Sequence, residues 1–412
     1  MVNYPTMYRV KRQFDGPVVN DLQTEVKTSI NALLANHKFI PGAKIGIAVG
    51  SRGIASLAKI IKAIVLEVRN SDFKPFLIPA MGSHGGATPA GQRQVLQNLG
   101  INFSELNLEC LAEMSTSVIG TTSDDVPVHF AQTAMEMDGL LICNRVKPHT
   151  RFTGNVQSGL LKMMTVGLGK ENGAATYHRA ERELEFDNLI REAAGIIIVN
   201  TPIIGGIALI ENQSKQVAEL ISVPKYEMID REPALLKRAS ELVPRLPLQK
   251  IDLLIVDEIG KEVSGTGMDT NVVGRKFNDH VSHPQDWCQT SLIYIRGLTC
   301  ATAGNATGIG MAEFTNPEAV TQVDWVKTRI NSITAGHPTA AMCPVVLDDD
   351  KAVIEAAMQI AGENLQILHI RNTAQLNEVY VSQSGLDELQ QLEPSCVISS
   401  CDNYYGEYLH GF

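Results

Sequence analysis

Short apolar runs rich in β-branched residues recur along the chain, and the first leads through a tight loop into an apolar pattern at helical spacing. KIGIAVG (44–50), KPFLIPAMG (74–82), GLLICN (139–144) and GIIIVN (195–200) each read as a strand buried on both faces. SLAKIIKAIVLEV (56–68) follows the first of them and places its apolar residues on one helical face. A chain with this grammar has few folds open to it. Strand, loop and helix in repetition build mainly parallel, Rossmann-like sheets with helices on their faces, the α/β class. IGGIALIEN (204–212) follows the fourth run too closely for a crossover helix, so Pro202 to Gly206 is expected to turn into an antiparallel partner.

The rhythm breaks at LVPRLPLQKID (242–252) and resumes with IDLLIVDEIG, SLIYIRGL, CPVVLDD and LQILHI. Since 412 residues exceed what one ordinary core holds, two domains are expected, 1–246 and 247–412, with the active site in a cleft between them.

A formal charge of −10 argues against a nucleic-acid or acidic-membrane surface, because both need concentrated Lys and Arg. No apolar run approaches the roughly 18 residues that span a bilayer, and the amino terminus has no signal-like apolar core. The expected address is the cytoplasm and the expected partner a small molecule. Seven cysteines without a CxxC pair fit reduced, inert core thiols.

Ligands of parallel sheets bind beyond the carboxyl ends of the strands. Three loops there carry unusual residues. VGSRGIAS combines Gly50, Ser51, Arg52 and Gly53 at what reads as a helix amino terminus, which suits a phosphate or carboxylate as well as a plain Ser cap. AMGSHGGATP surrounds His84 with glycines, which leaves the imidazole little to pack against, and sets Thr88 and Pro89 to open a helix. The third loop, 146–178, follows GLLICN and holds His149 just past the strand, then Lys162 in SGLLK, then His178. Singly, Lys162 and His178 read equally well as surface residues. As a set, these side chains suit an anionic, phosphate-bearing ligand with two imidazoles to move protons. His280 and His283 in HVSH have the spacing of a zinc pair but no third ligand, so a zinc hydrolase is the weaker alternative. LDDDK (347–351) reads as a strand end followed by capping carboxylates.

In this order and register the residues resemble the lactate racemase family, whose members use a nickel-pincer nucleotide. A loop arginine, a glycine-flanked histidine, a PH pair, a lysine after an SG element and a histidine sixteen residues beyond that lysine are matched by Arg52, His84, His149, Lys162 and His178. The resemblance implies a pyridinium bis-thio mononucleotide tethered covalently to Lys162, with nickel held partly by His178, a site chemically reasonable for Ni(II). Its phosphate would sit on Gly50, Ser51 and Gly53. It further implies His84 and His149 as an acid/base pair, Arg52 on the reacting oxygen, cofactor-biosynthesis proteins as partners, and racemisation or epimerisation of a 2-hydroxy acid. A cofactor-less member that binds a carboxylate or nucleotide is the alternative.

Three departures are visible, one being that the interval from His149 to Lys162 is three residues longer than in the lactate enzymes. Leu160 and Leu161 replace glycine before the lysine. After Asp269, Thr270 and Asn271, the family's Tyr-Gln-x-x-Lys gives way to Val273, Gly274, Arg275, Lys276 and Phe277. Arg275 or Lys276 is then expected to bind the substrate carboxylate, and the small Gly274 to leave room for a larger substrate such as a sugar acid. The oligomeric state is not set by the sequence.

Overall fold

The computed structural model describes residues 3–181 and 183–411. The chain divides into two compact units, Gly16–Val243 and a second made of Met1–Asp15 with Pro244–Phe412. The first strand, β1 (Met7–Lys11), therefore belongs with the carboxyl-terminal half, although the sequence groups residues 1–246 together. It inserts between two strands of the second sheet, pairs antiparallel with both, and buries Met7 and Val10.

The Gly16–Val243 unit opens with α1 (Leu22–Ala35), β2 (Lys44–Val49), α2 (Leu57–Asn70), β3 (Lys74–Pro79) and α3 (Pro89–Asn98). β4 (Glu109–Cys110), a hairpin of β5 (Thr116–Thr121) and β6 (Pro127–Ala131), α4 (Gln132–Met135) and β7 (Gly139–Arg145) follow. It closes with α5 (Leu160–Lys162), α6 (Lys170–Ala180), α7 (Phe186–Asn200), β8 (Ile203–Glu211), β9 (Val217–Pro224) and α8 (Met228–Leu242).

The sheet order is β4-β3-β2-β7-β8-β9, parallel except for β9. Successive strand residues point to opposite faces. Ile45, Ile47 and Val49 of β2 pack with Ile30 of α1 and Ile60 of α2, while Leu140 and Ile142 of β7 pack with Ile190 and Ile197 of α7. The order reverses between β2 and β7, which makes the loops after these strands the natural ligand crevice.

One strand assignment is corrected. GIIIVN is the last part of α7, whose buried Leu189, Ile190, Ala193, Ala194, Ile197 and Ile198 repeat at helical spacing. The crossover helix is thus present, β8 runs parallel to β7, and β9 is the antiparallel partner. A short apolar run does not by itself separate a strand from the buried end of a helix.

The second unit contains β10 (Lys250–Val256), α9 (Thr270–Val273), β11 (Gln289–Ile295), β12 (Phe314–Thr315), α10 (Pro317–Gln322) and α11 (Trp325–Thr334). Then come β13 (Val345–Val346), α12 (Asp350–Ala361), β14 (Ile367–Asn372), β15 (Gln375–Ser382), α13 (Leu386–Leu392) and β16 (Val397–Ser400). Its order is β13-β12-β11-β10-β14-β15-β1-β16, parallel from β13 to β14 and antiparallel beyond. Asp349 caps α12, as LDDDK suggests, by accepting from the Ala352 amide at 2.8 Å. Among the described residues no helix is long and apolar enough to cross a membrane.

Candidate functional site

Four parallel strands end at one edge of the first sheet, and their final residues and following loops carry the chemistry. β2 leads to Gly50, Ser51, Arg52 and Gly53. The helix expected there starts later, at Leu57, with Ser56 as an N-cap in the left-handed region at φ 56°. Ser51 therefore does not cap a helix, and Gly50 to Gly53 form an open turn rather than a helix amino terminus. A Cβ on Gly53 would meet nothing within 4 Å, so this backbone is accessible, whereas Gly50 is pressed against Met163.

Arg52 reaches the surface but protein crowds its guanidinium. Desolvation, and then the charge of Arg145, hold its pKa below the ordinary value. It makes no hydrogen bond or ion pair with the described residues. Arg145, at the end of β7, is paired with Glu211 at the end of β8, and Glu211 also accepts from the Ala55 amide at 2.6 Å. Arg145 and Glu211 carry no signal along the chain, because neither lies in a glycine-rich loop.

β3 leads to His84, which is exposed and flanked by Gly82, Gly85 and Gly86, all at positive φ. Thr88 caps α3 by accepting from the Gly91 amide at 3.1 Å, with Pro89 in its first turn, so the loop ends as its sequence suggests.

β7 leads to His149. Its Nδ1 accepts from the amides of Arg151 and Phe152, both at 3.1 Å. In the neutral ring this fixes the remaining proton on Nε2. The imidazole stacks on Phe152 with centroids 4.1 Å apart and planes 12° apart, and Phe152 stacks on Phe186 at 3.9 Å. Lys162 Nζ lies 4.2 Å from the Phe152 centroid and 5.5 Å from that of Phe186. His149 and Lys162 thus share one aromatic stack, which suits a cation near ring faces. Nothing in the sequence singled out the two phenylalanines.

Lys162 ends α5, and a single π-helical turn, residues 163–167, follows it. Such turns are rare and frequent at functional sites. The segment enters through Gly159 at φ 100°, where a Cβ would lie 2.0 Å from Glu232 Oε1. Glu232 is completely buried beneath this turn, and burial pushes its carboxyl up to about 8, opposed by the amides of Leu161 and Leu160. Those amides approach it, yet neither carboxyl oxygen finds a partner of full hydrogen-bond geometry.

His178 lies on α6 with its side chain more than half exposed, and its Nδ1 is 3.2 Å from Glu181 Oε1. That contact leaves Nε2 as the outward nitrogen. A carboxylate behind one ring nitrogen is the usual support of a metal-binding histidine.

In the second unit, Arg275 is fully buried. It donates to the Thr290 carbonyl at 2.6 Å and Ser282 Oγ at 2.8 Å, and pairs with Glu313 at 3.4 Å. Its charge is answered inside the fold. Lys276 is also buried. Val273 is packed in the core, and Gly274 is the left-handed cap of α9, where a Cβ would meet the Cys288 carbonyl at 2.4 Å. Gly274 therefore serves backbone geometry and leaves no vacant room for a substrate. Asp269 caps the same helix by accepting from the Asn271 amide at 3.1 Å. Among the described residues no group of three or more His, Cys, Asp and Glu could hold a metal, so the zinc alternative built on His280 and His283 has no third ligand. Cys110, Cys143 and Cys288 are buried free thiols, whereas Cys300 and Cys343 are exposed, so not every cysteine is a core residue.

Comparison with known proteins adds a likeness. Residues 18–185 match the family model of the lactate racemase N-terminal domain. The fold resembles that of the lactate racemase apoprotein from Thermoanaerobacterium thermosaccharolyticum, with a TM-score of 0.55 at 14% identity over 89% of this chain and 94% of that one. A Thermotoga maritima protein aligns with a TM-score of 0.50 at 14% identity, over 80% of this chain and 83% of that chain. No curated protein matches the sequence.

Proposed function

We propose that this chain, whose residues 18–185 match the lactate racemase N-terminal domain, racemises or epimerises a 2-hydroxy acid with a nickel-pincer nucleotide held on Lys162. The observation that carries this proposal is the aromatic stack shared by His149 and Lys162 beyond the carboxyl end of β7. It offers a flat, partly covered surface next to an amine and an imidazole, in keeping with a planar group tethered there.

The residues fit such a group in chemical type. Lys162 supplies the amine for covalent attachment, and His178, backed by Glu181, supplies an outward imidazole nitrogen for nickel. Gly53 leaves backbone open beside Arg52. When bound, the cofactor supplies a hydride acceptor at C2, which no side chain offers.

The remaining work falls to the chain's own side chains. Arg52, desolvated and without an acidic partner, binds the substrate oxygen that gains carbonyl character. His149 presents its Nε2 proton to an oxygen, because Nδ1 is already occupied. His84, on its glycine loop, is the second imidazole and exchanges the hydroxyl proton. A substrate larger than lactate, such as a sugar acid, has no support from the packed Val273 and Gly274, so the proposal stops at a 2-hydroxy acid.

The test is protein purified from cells that make the cofactor. A mass increase localised to Lys162, bound nickel, and loss of optical purity of a 2-hydroxy acid with its C2 deuterium label retained are expected. Lys162→Ala should abolish the mass increase, and His178→Ala should lose nickel but retain the mass increase. Protein from such cells with neither adduct nor racemisation would instead be a cofactor-less carboxylate- or nucleotide-binding member.

A further inference from the structure

Two side chains rarely found inside proteins, Lys170 and Gln92, are both completely buried next to the His84 loop. Lys170 Nζ donates to the Pro79 carbonyl at 2.7 Å and to Gln92 Oε1 at 3.3 Å. Gln92 Nε2 donates onward to the carbonyls of Gly82 at 2.9 Å and His84 at 3.3 Å. One lysine and one glutamine therefore satisfy three main-chain acceptors along the segment that presents His84.

Main-chain bonds within that segment are short in range, from the His84 amide to the Met81 carbonyl and from the Ala87 amide to the Ser83 carbonyl, both at 3.1 Å. Gly82, Gly85, Gly86 and Ala87 all lie at positive φ, and His84 is exposed. A loop of this kind keeps one conformation only when its surroundings fix it. Lys170 itself adopts φ 53°, a conformation that costs a non-glycine residue free energy and that glycine would adopt freely. What glycine could not supply is the buried ammonium. Lys170 is also the first residue of α6, the helix that carries His178, and Gly82 packs against Ala174 of the same helix.

We propose that Lys170 and Gln92 are positioning residues, a buried hydrogen-bonded clamp that fixes the His84 loop against the helix bearing His178. The clamp keeps the proton-transferring imidazole at a set separation from the metal-binding one. Its catalytic meaning rests on the function proposed above, but its existence does not.

Two variants test it in the full chain. Gln92→Glu is isosteric and keeps an acceptor for Lys170, yet loses both donors to the loop. Lys170→Met keeps the aliphatic stem and loses the ammonium. In cofactor-free protein, amide hydrogen exchange at Gly82, His84 and Ala87 should rise by about tenfold or more in both variants, while β5 and β6 stay as protected as before. In loaded enzyme kcat should fall by about tenfold or more with KM changed by less than about twofold, and with adduct mass and nickel content unaltered.

Unchanged exchange in the loop overturns the clamp. Faster exchange with an unchanged kcat in active enzyme overturns the positioning role. If Lys170→Met does not fold, Gln92→Glu decides alone. If the wild-type loaded protein turns over no 2-hydroxy acid, the proposed function fails, while the exchange measurement still decides the clamp.

Discussion

His149 shows how a backbone can choose a side chain's chemistry. Two amides aimed at Nδ1 leave the neutral ring no tautomer but the one protonated at Nε2. Nitrogen NMR of the full chain near neutral pH should therefore show Nδ1 as the unprotonated, pyridine-like nitrogen of His149. A signal from an Nδ1–H tautomer would remove the argument that this residue faces its substrate as a donor. Glu232 provides a second case, with a pH signature. Burial raises its pKa from the ordinary carboxyl value of 4.5 to about 8, so the folded chain keeps a proton that the unfolded chain releases between them. The stability contributed is full below the lower value and declines as pH rises toward the upper one. Glu232→Gln removes this titration. Its melting temperature relative to the unaltered protein should improve between about pH 5 and about pH 8, by the equivalent of a few kcal/mol. Parallel pH curves for the two proteins would contradict a buried, protonated Glu232.

At the level of elements, the loops are set by their first and last residues. Thr88 accepts the Gly91 amide, and Thr88→Ala should cost about 1 kcal/mol, measured by chemical denaturation, without moving α3. Gly159 is far less tolerant. Both its φ of 100° and its closeness to Glu232 forbid a side chain, so Gly159→Ala should destabilise the protein by roughly 3 kcal/mol or more and disturb the turn carrying Lys162. A stable variant that takes up cofactor normally would refute that account of the turn. Glycines, a Thr-Pro pair and a histidine among small residues are local signals, and these were legible in the sequence. The carboxyl-terminal half of α7 was not. Its isoleucines and valine match a buried strand as well as a buried helix end, and only packing against the sheet decides between them.

At the scale of the whole molecule, β1 makes the second sheet depend on residues far away in the chain. It pairs with β15 through Met7 to Lys11 and with β16 through Tyr8 to Lys11. A chain lacking residues 1–13 should lose amide protection in β15 and β16 and keep it in β2, β3 and β7. Equal protection in both sheets would show that β1 adds nothing to the second unit.

Periodicity alone determined the α/β class, most strands and the loops where chemistry gathers, because these depend on which residues follow one another within a few positions. Arg52, His84, His149, Lys162 and His178 were nominated for the same reason: glycine-lined loops and spacings are written along the chain. Only the tertiary structure decided which side chains support them. Phe152 and Phe186, Arg145 and Glu211, Lys170 and Gln92, and Glu232 carry no local signal, since each acquires its role from a partner distant in sequence. It also decided the surroundings of Arg275, whose charge looks available in a sequence but meets Glu313 and main-chain carbonyls inside the fold. Burial is a property of the packed chain, and no local pattern announces which charge will find its partner inside it.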